Sequence, residues 1–116
     1  MKSGGCHCGA VRWDVEIDEV GQVLACNCSM CQRAGALLAF VPAGTFHLRT
    51  GEDSLKDYQF NKHVIHHVFC RTCGIKSFAR GTGPGGVQMV AVNVRCLDDL
   101  DDVRKLDVRW VDGRSA

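Results

Sequence analysis

The sequence lacks any apolar run approaching the ~20 residues that a membrane-spanning helix needs. It also lacks an excess of either charge, because 14 Lys and Arg stand against 13 Asp and Glu, a net charge of +1. A near-neutral chain lacks the excess of positive charge that is typical of proteins that bind nucleic acid or an anionic membrane. Residues 1–5 contain no apolar leader segment, so we expect a cytoplasmic protein without a secretory signal.

Long stretches with helical periodicity are missing too, and the local patterns predict a mainly β fold. The predicted strands are residues 11–17, 22–25, 37–41, 63–69 and 87–94, with a hairpin from 46–48 through the turn at 51–53 into 56–60. Helix is expected only as a single turn at residues 29–35 and a short stretch near residues 98–104. No linker, repeat or low-complexity segment divides the chain, so we expect residues 1–116 to form one domain.

Eight cysteines are the most informative feature of the sequence. In a secreted chain this density would predict disulfides, whereas in a reducing compartment it indicates metal or redox chemistry. The cysteines form three knots and a singleton: Cys6 and Cys8; Cys26, Cys28 and Cys31; Cys70 and Cys73; and Cys96. Such spacings bring sulfurs together, because a C-x-x-C turn points two thiols at one centre and a C-x-C places both on one side of an extended segment.

Zinc takes four protein ligands in a structural site and three in a catalytic one. One partition of the knots therefore joins the first and third into a closed four-thiolate site and leaves the middle knot as a triad with an open position. Other partitions remain open on spacing alone. Two interpretations without metal also remain open, namely structural disulfides and redox dithiols, although a thioredoxin-like dithiol needs a βαβ context that the pattern lacks.

Residues 4–12, Gly-Gly-Cys-His-Cys-Gly-Ala-Val-Arg, resemble the opening motif of the glutathione-dependent formaldehyde-activating enzyme family, also called the centromere protein V family. Residues 26–31 resemble its second motif, residues 69–74 its third, and residues 92–95 a strand near its end. The order and spacing of the motifs match over about residues 4–100.

The resemblance implies a β-tent, in which two packed antiparallel sheets surround cysteine-ligated zinc. It implies two zinc ions per chain in a single zinc-binding domain. The implied ligands are Cys6, Cys8, Cys70 and Cys73 for a structural zinc, and Cys26, Cys28 and Cys31 for a second, catalytic zinc. The founding activity of the family joins formaldehyde to glutathione to give S-hydroxymethylglutathione, and is classed as a carbon–sulfur lyase. We therefore expect a zinc-dependent lyase-type enzyme acting on a thiol–aldehyde adduct.

An open zinc with three thiolates is suited to holding a substrate thiol as its thiolate beside an aldehyde. Two other functions stay open. A non-catalytic, zinc-stabilised module that binds a partner protein would need Cys96 or another residue to close the triad. A zinc-ribbon protein that binds nucleic acid would need clustered Lys and Arg, which the composition does not favour.

Several other residues carry weaker predictions. His66 and His67 could act as acid or base near neutral pH, although both also fit packed or surface positions. His7 should point away from the metal because it alternates with two ligands, and His47 and His63 lack a supporting context. Three basic residues near the knots could meet a carboxylate of glutathione: Arg33, Arg71 and Lys76.

The remaining notable side chains have structural interpretations. We expect Cys96 to be a buried free thiol, since free cysteine packs as a small hydrophobic group. Trp13 and Trp110 fit core or core-edge positions. Four acidic residues, Asp98, Asp99, Asp101 and Asp102, fit a solvated turn rather than a calcium loop.

Overall fold

A computed structural model of the chain describes residues 1–60 and 65–115. These residues form ten strands, one α-helix and six short 3₁₀ turns. The elements are β1 (Lys2–Gly5), β2 (Arg12–Val15), β3 (Gln22–Cys26), α1 (Ser29–Ala34), β4 (Leu38–Pro42), β5 (Phe46–Thr50), β6 (Leu55–Tyr58), β7 (His66–Cys70), β8 (Phe78–Thr82), β9 (Gln88–Asn93) and β10 (Asp107–Val111). The prediction of a mainly β fold is confirmed.

The strands form two sheets. The small sheet has the order β1-β2-β5, and the large sheet has the order β10-β3-β4-β9-β8-β7-β6. Neighbouring strands run antiparallel except β10, which pairs in parallel with β3 and places Asp107 beside Gln22. The expectation of antiparallel sheets is therefore right apart from this edge, where the long connection after β9 allows a parallel return.

The predicted hairpin from residues 46–48 into 56–60 is wrong in its pairing. β5 pairs with β2 in the small sheet, whereas β6 pairs with β7 in the large one. Between them Gly51 has a φ of 98°, and a Cβ at this position would collide with the backbone of Ala10 and Val11. The chain crosses from one sheet to the other at this glycine.

A chain of aromatic rings joins the two sheets through the core. On β2, Trp13 and Val15 are buried while Arg12 and Asp14, which alternate with them, are only half-buried, as the alternating pattern predicted. The ring of Phe46 lies 5.5 Å from that of Trp13 and 4.7 Å from that of Phe78 on the large sheet. Trp13 Nε1 donates a 3.0 Å hydrogen bond to Ser77 Oγ, so the buried indole has a polar partner.

Two predictions near the C-terminal part of the chain are wrong. Trp110 is 80% exposed, because β10 is an edge strand that extends past the core. The expected helical stretch near residues 98–104 is only a 3₁₀ turn at Val103–Lys105. The acidic cluster does lie at the surface, where Asp99 pairs with Lys2 at 2.7 Å.

The predicted strand at residues 63–69 begins later, at His66, and His63 lies outside the described residues. In the part of the chain that is described, no helix is long and apolar enough to cross a membrane.

The crossing at Gly51 is testable by comparing two glycines with positive φ. We expect Gly51→Ala to lower the free energy of unfolding by about 2–4 kcal/mol, because left-handed strain adds to a backbone collision. Gly21→Ala is the matched control, since Gly21 has a φ of 65° and open space around it, and should cost about 1 kcal/mol. Urea denaturation measures both, and equal losses would contradict a sterically required crossing.

Candidate metal centres

The first and third cysteine knots meet at one end of the structure. Cys6 and Cys8 lie in the loop between β1 and β2, while Cys70 ends β7 and Cys73 lies in the turn after it. Their four Sγ atoms all lie within 4.8 Å of one another. The Sγ atom of Cys8 is 3.7 Å from that of Cys6 and 3.6 Å from that of Cys70. Sulfurs around a tetrahedral zinc at 2.3 Å are about 3.8 Å apart, so this four-thiol cluster fits zinc.

Backbone amides point at the sulfurs of the four-thiol cluster. The amide of Val11 donates to Cys6 Sγ at 3.3 Å, and that of Thr72 donates to Cys70 Sγ at 3.4 Å. Gly74, with a φ of 78°, turns the chain so that its amide bonds the Cys70 carbonyl at 2.7 Å. Such donors stabilise thiolate over thiol, which favours metal binding.

The thiol pKa values in this cluster reflect the same donors. Backbone hydrogen bonds from Cys8 and Ile75 lower the pKa of Cys73 to about 6. A backbone bond from Ala10 lowers the pKa of Cys8, but burial and the neighbouring thiols raise it to about 11. These donors thus favour the thiolate form of Cys73, and a cation bound by the cluster would displace the protons of the remaining thiols.

The middle knot forms a second cluster, the triad, on a different part of the large sheet. Cys26 ends β3, Cys28 is the N-cap of α1, and Cys31 lies in the first turn of that helix. The amide of Cys31 donates to Cys28 Sγ at 3.3 Å, and that of Cys28 donates to Cys26 Sγ at 3.4 Å. The three Sγ atoms lie within 4.8 Å of one another, and within residues 1–60 and 65–115 no His, Asp, Glu or further Cys joins them.

Burial and a nearby ammonium group set the electrostatics of the triad. Burial, followed by the neighbouring Cys28 thiol, raises the pKa of Cys31 to about 12, while Lys76 acts in the opposite direction. Burial also raises the pKa of Cys28, but hydrogen bonds from the Cys31 amide and the other thiols lower it by more. Half-buried Lys76 therefore supplies positive charge beside thiols that would carry negative charge in a metal complex. Burial lowers the pKa of Lys76, and the charges of Cys31 and Cys28 offset only part of this shift.

The C-terminal segment closes one side of the triad, which sequence reasoning missed. A Cβ on Gly113 would collide with Cys26 Sγ, so the backbone passes directly against this sulfur. Asn27, between two ligand positions, donates from Nδ2 to Asp112 Oδ1 at 2.9 Å and accepts the Arg114 amide at 3.0 Å. No local pattern indicates these contacts, because they depend on the parallel return of β10.

A cavity of about 270 Å³ lies against α1, the helix that carries Cys31. Met30 and Ala34 of α1 form one wall, and Gly74 from the turn of the four-thiol cluster reaches the other. The lining residues are Met30, Ala34, Tyr58, His67, Phe69, Gly74 and Lys76. We call this space the helix-side cavity; it combines apolar walls with one imidazole and one ammonium group, as small-molecule sites do.

His67 is the unusual side chain of the helix-side cavity. It is 6% exposed and stacks on Phe60 with ring centroids 5.3 Å apart. Its Nδ1 is buried and has no hydrogen-bond partner among the described residues, which is a costly state unless a ligand supplies one. Burial, followed by the charge of Lys76, lowers the pKa of His67, so the imidazole is uncharged at neutral pH.

The structure separates the other candidate residues from the triad. His66 Nδ1 pairs with Asp57 at 2.6 Å, His47 pairs with Glu16 at 2.8 Å, and His7 is exposed. Arg33 and Arg71 are exposed as well, which leaves Lys76 as the basic candidate that reaches the triad.

Cys96 lies near the four-thiol cluster rather than the triad. It is half-buried, and burial together with the charges of Cys6 and Cys73 raises its pKa to about 11. All eight cysteines are free thiols, so the disulfide interpretation has no support.

Comparison with known proteins gives a family. The sequence profile described as glutathione-dependent formaldehyde-activating enzyme matches residues 1–112. The chain belongs to the glutathione-dependent formaldehyde-activating enzyme family. The match extends past residue 100, where the resemblance in the sequence ended, and includes β10.

A crystal structure of a Rhodobacter sphaeroides protein, solved as a structural-genomics target, is similar to this member of the family. The two are 33% identical, with a TM-score of 0.82, over 94% of this chain and 99% of the other. The family supports a formaldehyde-activating function with glutathione, and the two cysteine clusters give this member places where metal ions could bind.

Substituting a cysteine of the four-thiol cluster should lower the thermal stability more than substituting a cysteine of the triad. We expect Cys70→Ser to remove about one metal ion per chain and to lower Tm by at least about 10 °C, because this cysteine joins the β1–β2 loop to β7. Cys28→Ser should also remove about one metal ion but leave Tm within a few degrees, since serine still caps α1. Elemental analysis and calorimetry measure both effects.

Cys96→Ser is the control for these substitutions and should keep the metal content, because Cys96 belongs to neither cluster. A fall in Tm after Cys28→Ser as large as that after Cys70→Ser would contradict the division into structural and open centres.

Proposed function

We propose that the chain is a zinc-dependent carbon–sulfur lyase-type enzyme that forms and cleaves a thiol–aldehyde adduct of the S-hydroxymethylglutathione kind. In this proposal Cys6, Cys8, Cys70 and Cys73 hold a structural zinc, and Cys26, Cys28 and Cys31 hold a second zinc with an open position. Residues 1–116 act as a single zinc-binding domain. The partners are a small thiol such as glutathione and an aldehyde.

One observation carries the proposal: three thiols converge at the start of α1, and other residues of this helix line a cavity that also contains the buried imidazole of His67 and the ammonium group of Lys76, which acts on Cys31. The purely sulfur donor set suits zinc. When bound at the triad, zinc would lower the pKa of an incoming thiol and hold it as the thiolate.

Lys76 would favour binding of an anionic thiolate. A divalent ion with three thiolates already carries net negative charge, and a fourth thiolate adds to it. The half-buried ammonium of Lys76 offsets part of the rise in the pKa of Cys31, which shows that its charge acts on this sulfur. In a partly buried site this attraction is stronger than in water.

The reaction needs one proton to move. The thiolate sulfur attacks the aldehyde carbon, a carbon–sulfur bond forms, and the carbonyl π bond becomes an alkoxide on oxygen. The proton released by the thiol must then reach that oxygen. His67 is uncharged and lines the helix-side cavity, so its imidazole can carry this proton in either direction. In cleavage the same steps run backwards.

The apolar walls of the helix-side cavity would keep water from the adduct. Met30, Tyr58 and Phe69 line it together with the two polar side chains. Excluding water strengthens the electrostatic interactions within the site and protects a reactive aldehyde from hydration.

The non-catalytic module is the less favoured function. It expects a residue that closes the triad, and the sequence candidate for that role was Cys96. Cys96 lies near Cys6 and Cys73 instead, so it does not close the triad, and this favours the enzyme over the non-catalytic module.

The activity is testable by exchange NMR with ¹³C-formaldehyde and glutathione, in which the enzyme should accelerate exchange between free aldehyde and adduct. We expect zinc-loaded protein to catalyse this exchange and Cys28→Ser to lose at least about 100-fold, since orientation and thiolate formation both vanish. Cys96→Ser is the control and should retain the rate. Full exchange activity in folded Cys28→Ser protein would overturn the mechanism.

Lys76 gives a separate prediction. Lys76→Gln should raise KM for glutathione about fivefold to twentyfold, corresponding to about 1–2 kcal/mol of lost charge attraction. Lys56→Gln is the matched control, because Lys56 is exposed on β6 and lines no part of the cavity. Steady-state kinetics at two salt concentrations would test this, and an unchanged KM for Lys76→Gln would remove the charge role.

A further inference from the structure

The outer face of the large sheet carries a trough of small residues between larger ones. Strands β6, β7, β8, β9 and β4 lie side by side in this order. Their register aligns one residue from each in a single row: Tyr58, His67, Ala79, Ala91 and Phe40. The next row places Gly81 beside Met89. Because the middle positions are alanine and glycine, the sheet surface is low there and its margins are high.

A cavity of about 300 Å³ occupies this trough. Ala79, Ala91 and Gly81 form its floor, and Phe40 and Met89 rise beside it. Ile65 lies opposite, with its Cγ1 3.6 Å from the position of a Cβ on Gly81. The volume is at the lower end of the range for small-molecule sites.

The floor of the trough belongs to the same packed cluster as one triad cysteine. Its floor residues Ala79 and Ala91 belong to a buried cluster with Ala36 and Leu38, and Cys31 packs against this cluster. His67 lies in the same row as the trough floor and also lines the helix-side cavity. The trough floor is therefore a cross-strand neighbour of His67 and part of the cluster that Cys31 contacts, so it is the apolar surface next to the proposed site on this face of the sheet.

We propose that the trough binds the apolar substituent of the aldehyde, so that the substrates of this chain are adducts of aliphatic or aromatic aldehydes larger than formaldehyde. This inference rests on the proposed function and specifies its substrate class. Formaldehyde carries only hydrogen atoms on its carbon and makes no use of an apolar space. A side chain of several methylene groups would bury its surface against Phe40, Met89 and Ile65, each methylene that enters tightening binding about fourfold.

The first test measures binding without turnover. S-Hexylglutathione and S-methylglutathione are unreactive thioethers that share the glutathione part and differ in the apolar tail. On the zinc-loaded protein we expect calorimetry to give at least about tenfold tighter binding of the hexyl compound. Equal affinities would overturn the inference, while exchange activity with formaldehyde would leave the proposed function standing. No binding of either compound, with no exchange activity, would overturn both.

The second test narrows the trough. Ala91→Leu should remove most of the preference for S-hexylglutathione by filling the floor. Gly81→Ala is a milder variant that should reduce the preference while keeping the fold, because its Cβ meets Ile65 at an ordinary contact distance. Val87→Leu is the matched control, since Val87 is 51% exposed and lies outside the lining. An undiminished preference in folded Gly81→Ala and Ala91→Leu proteins would overturn the inference.

A third measurement distinguishes a second copy of the chain as occupant of the trough. Phe40→Asp places a charge at its margin, where Phe40 is 52% exposed. We expect the same molecular mass for the wild-type and Phe40→Asp proteins in light scattering, with weaker hexyl binding in the variant. Conversion of a dimer to monomers by this change would show that protein covers the trough, and would overturn the inference.

Discussion

Four sulfurs converge where the β1–β2 loop of the small sheet reaches the turn after β7 of the large sheet, and the relative placement of the sheets depends on this contact. A chain of 12.7 kDa buries a limited core, so a metal bound to both sheets can supply folding free energy that packing alone does not. The ring contacts of Trp13, Phe46 and Phe78 join the same two sheets through the interior. The four-thiol cluster and the aromatic chain thus both join the two sheets.

The two cysteine clusters share the same backbone hydrogen bonds to sulfur but differ in their surroundings. In both, backbone amides of tight turns donate to sulfur. In the four-thiol cluster the amides lower the pKa of Cys73 to about 6, so it is ready to bind a cation. In the triad, burial raises the pKa of Cys31 to about 12, and the nearby countercharge comes from Lys76. Lys76 therefore places positive charge both near the triad and in the wall of the helix-side cavity.

Sequence reasoning succeeded where spacing acts locally. The knots of Cys26 to Cys31 and of Cys70 to Cys73 form turns because only one or two residues separate neighbouring cysteines, which leaves few ways to place the thiols. The alternation around Trp13 identified a strand with one buried side, since side chains alternate along a strand. Sequence reasoning failed for the hairpin after Phe46 and for the burial of Trp110. Which strands β5 and β6 pair with, and whether β10 lies at a sheet edge, depend on residues far away in the chain.

Cysteine spacing and strand alternation were thus enough to indicate a β protein with two thiol-rich centres, since both act within a few residues of one chain segment. Folding decided which knots share a centre, brought Lys76 to the triad and His67 to the helix-side cavity, and laid Gly113 against Cys26. It also aligned Ala79, Ala91 and Gly81 into a trough, because strand register across the large sheet joins positions that the sequence keeps apart. The convergence of thiols within each knot is therefore local in origin, whereas the joining of the first and third knots and the surroundings of the triad depend on long-range contacts.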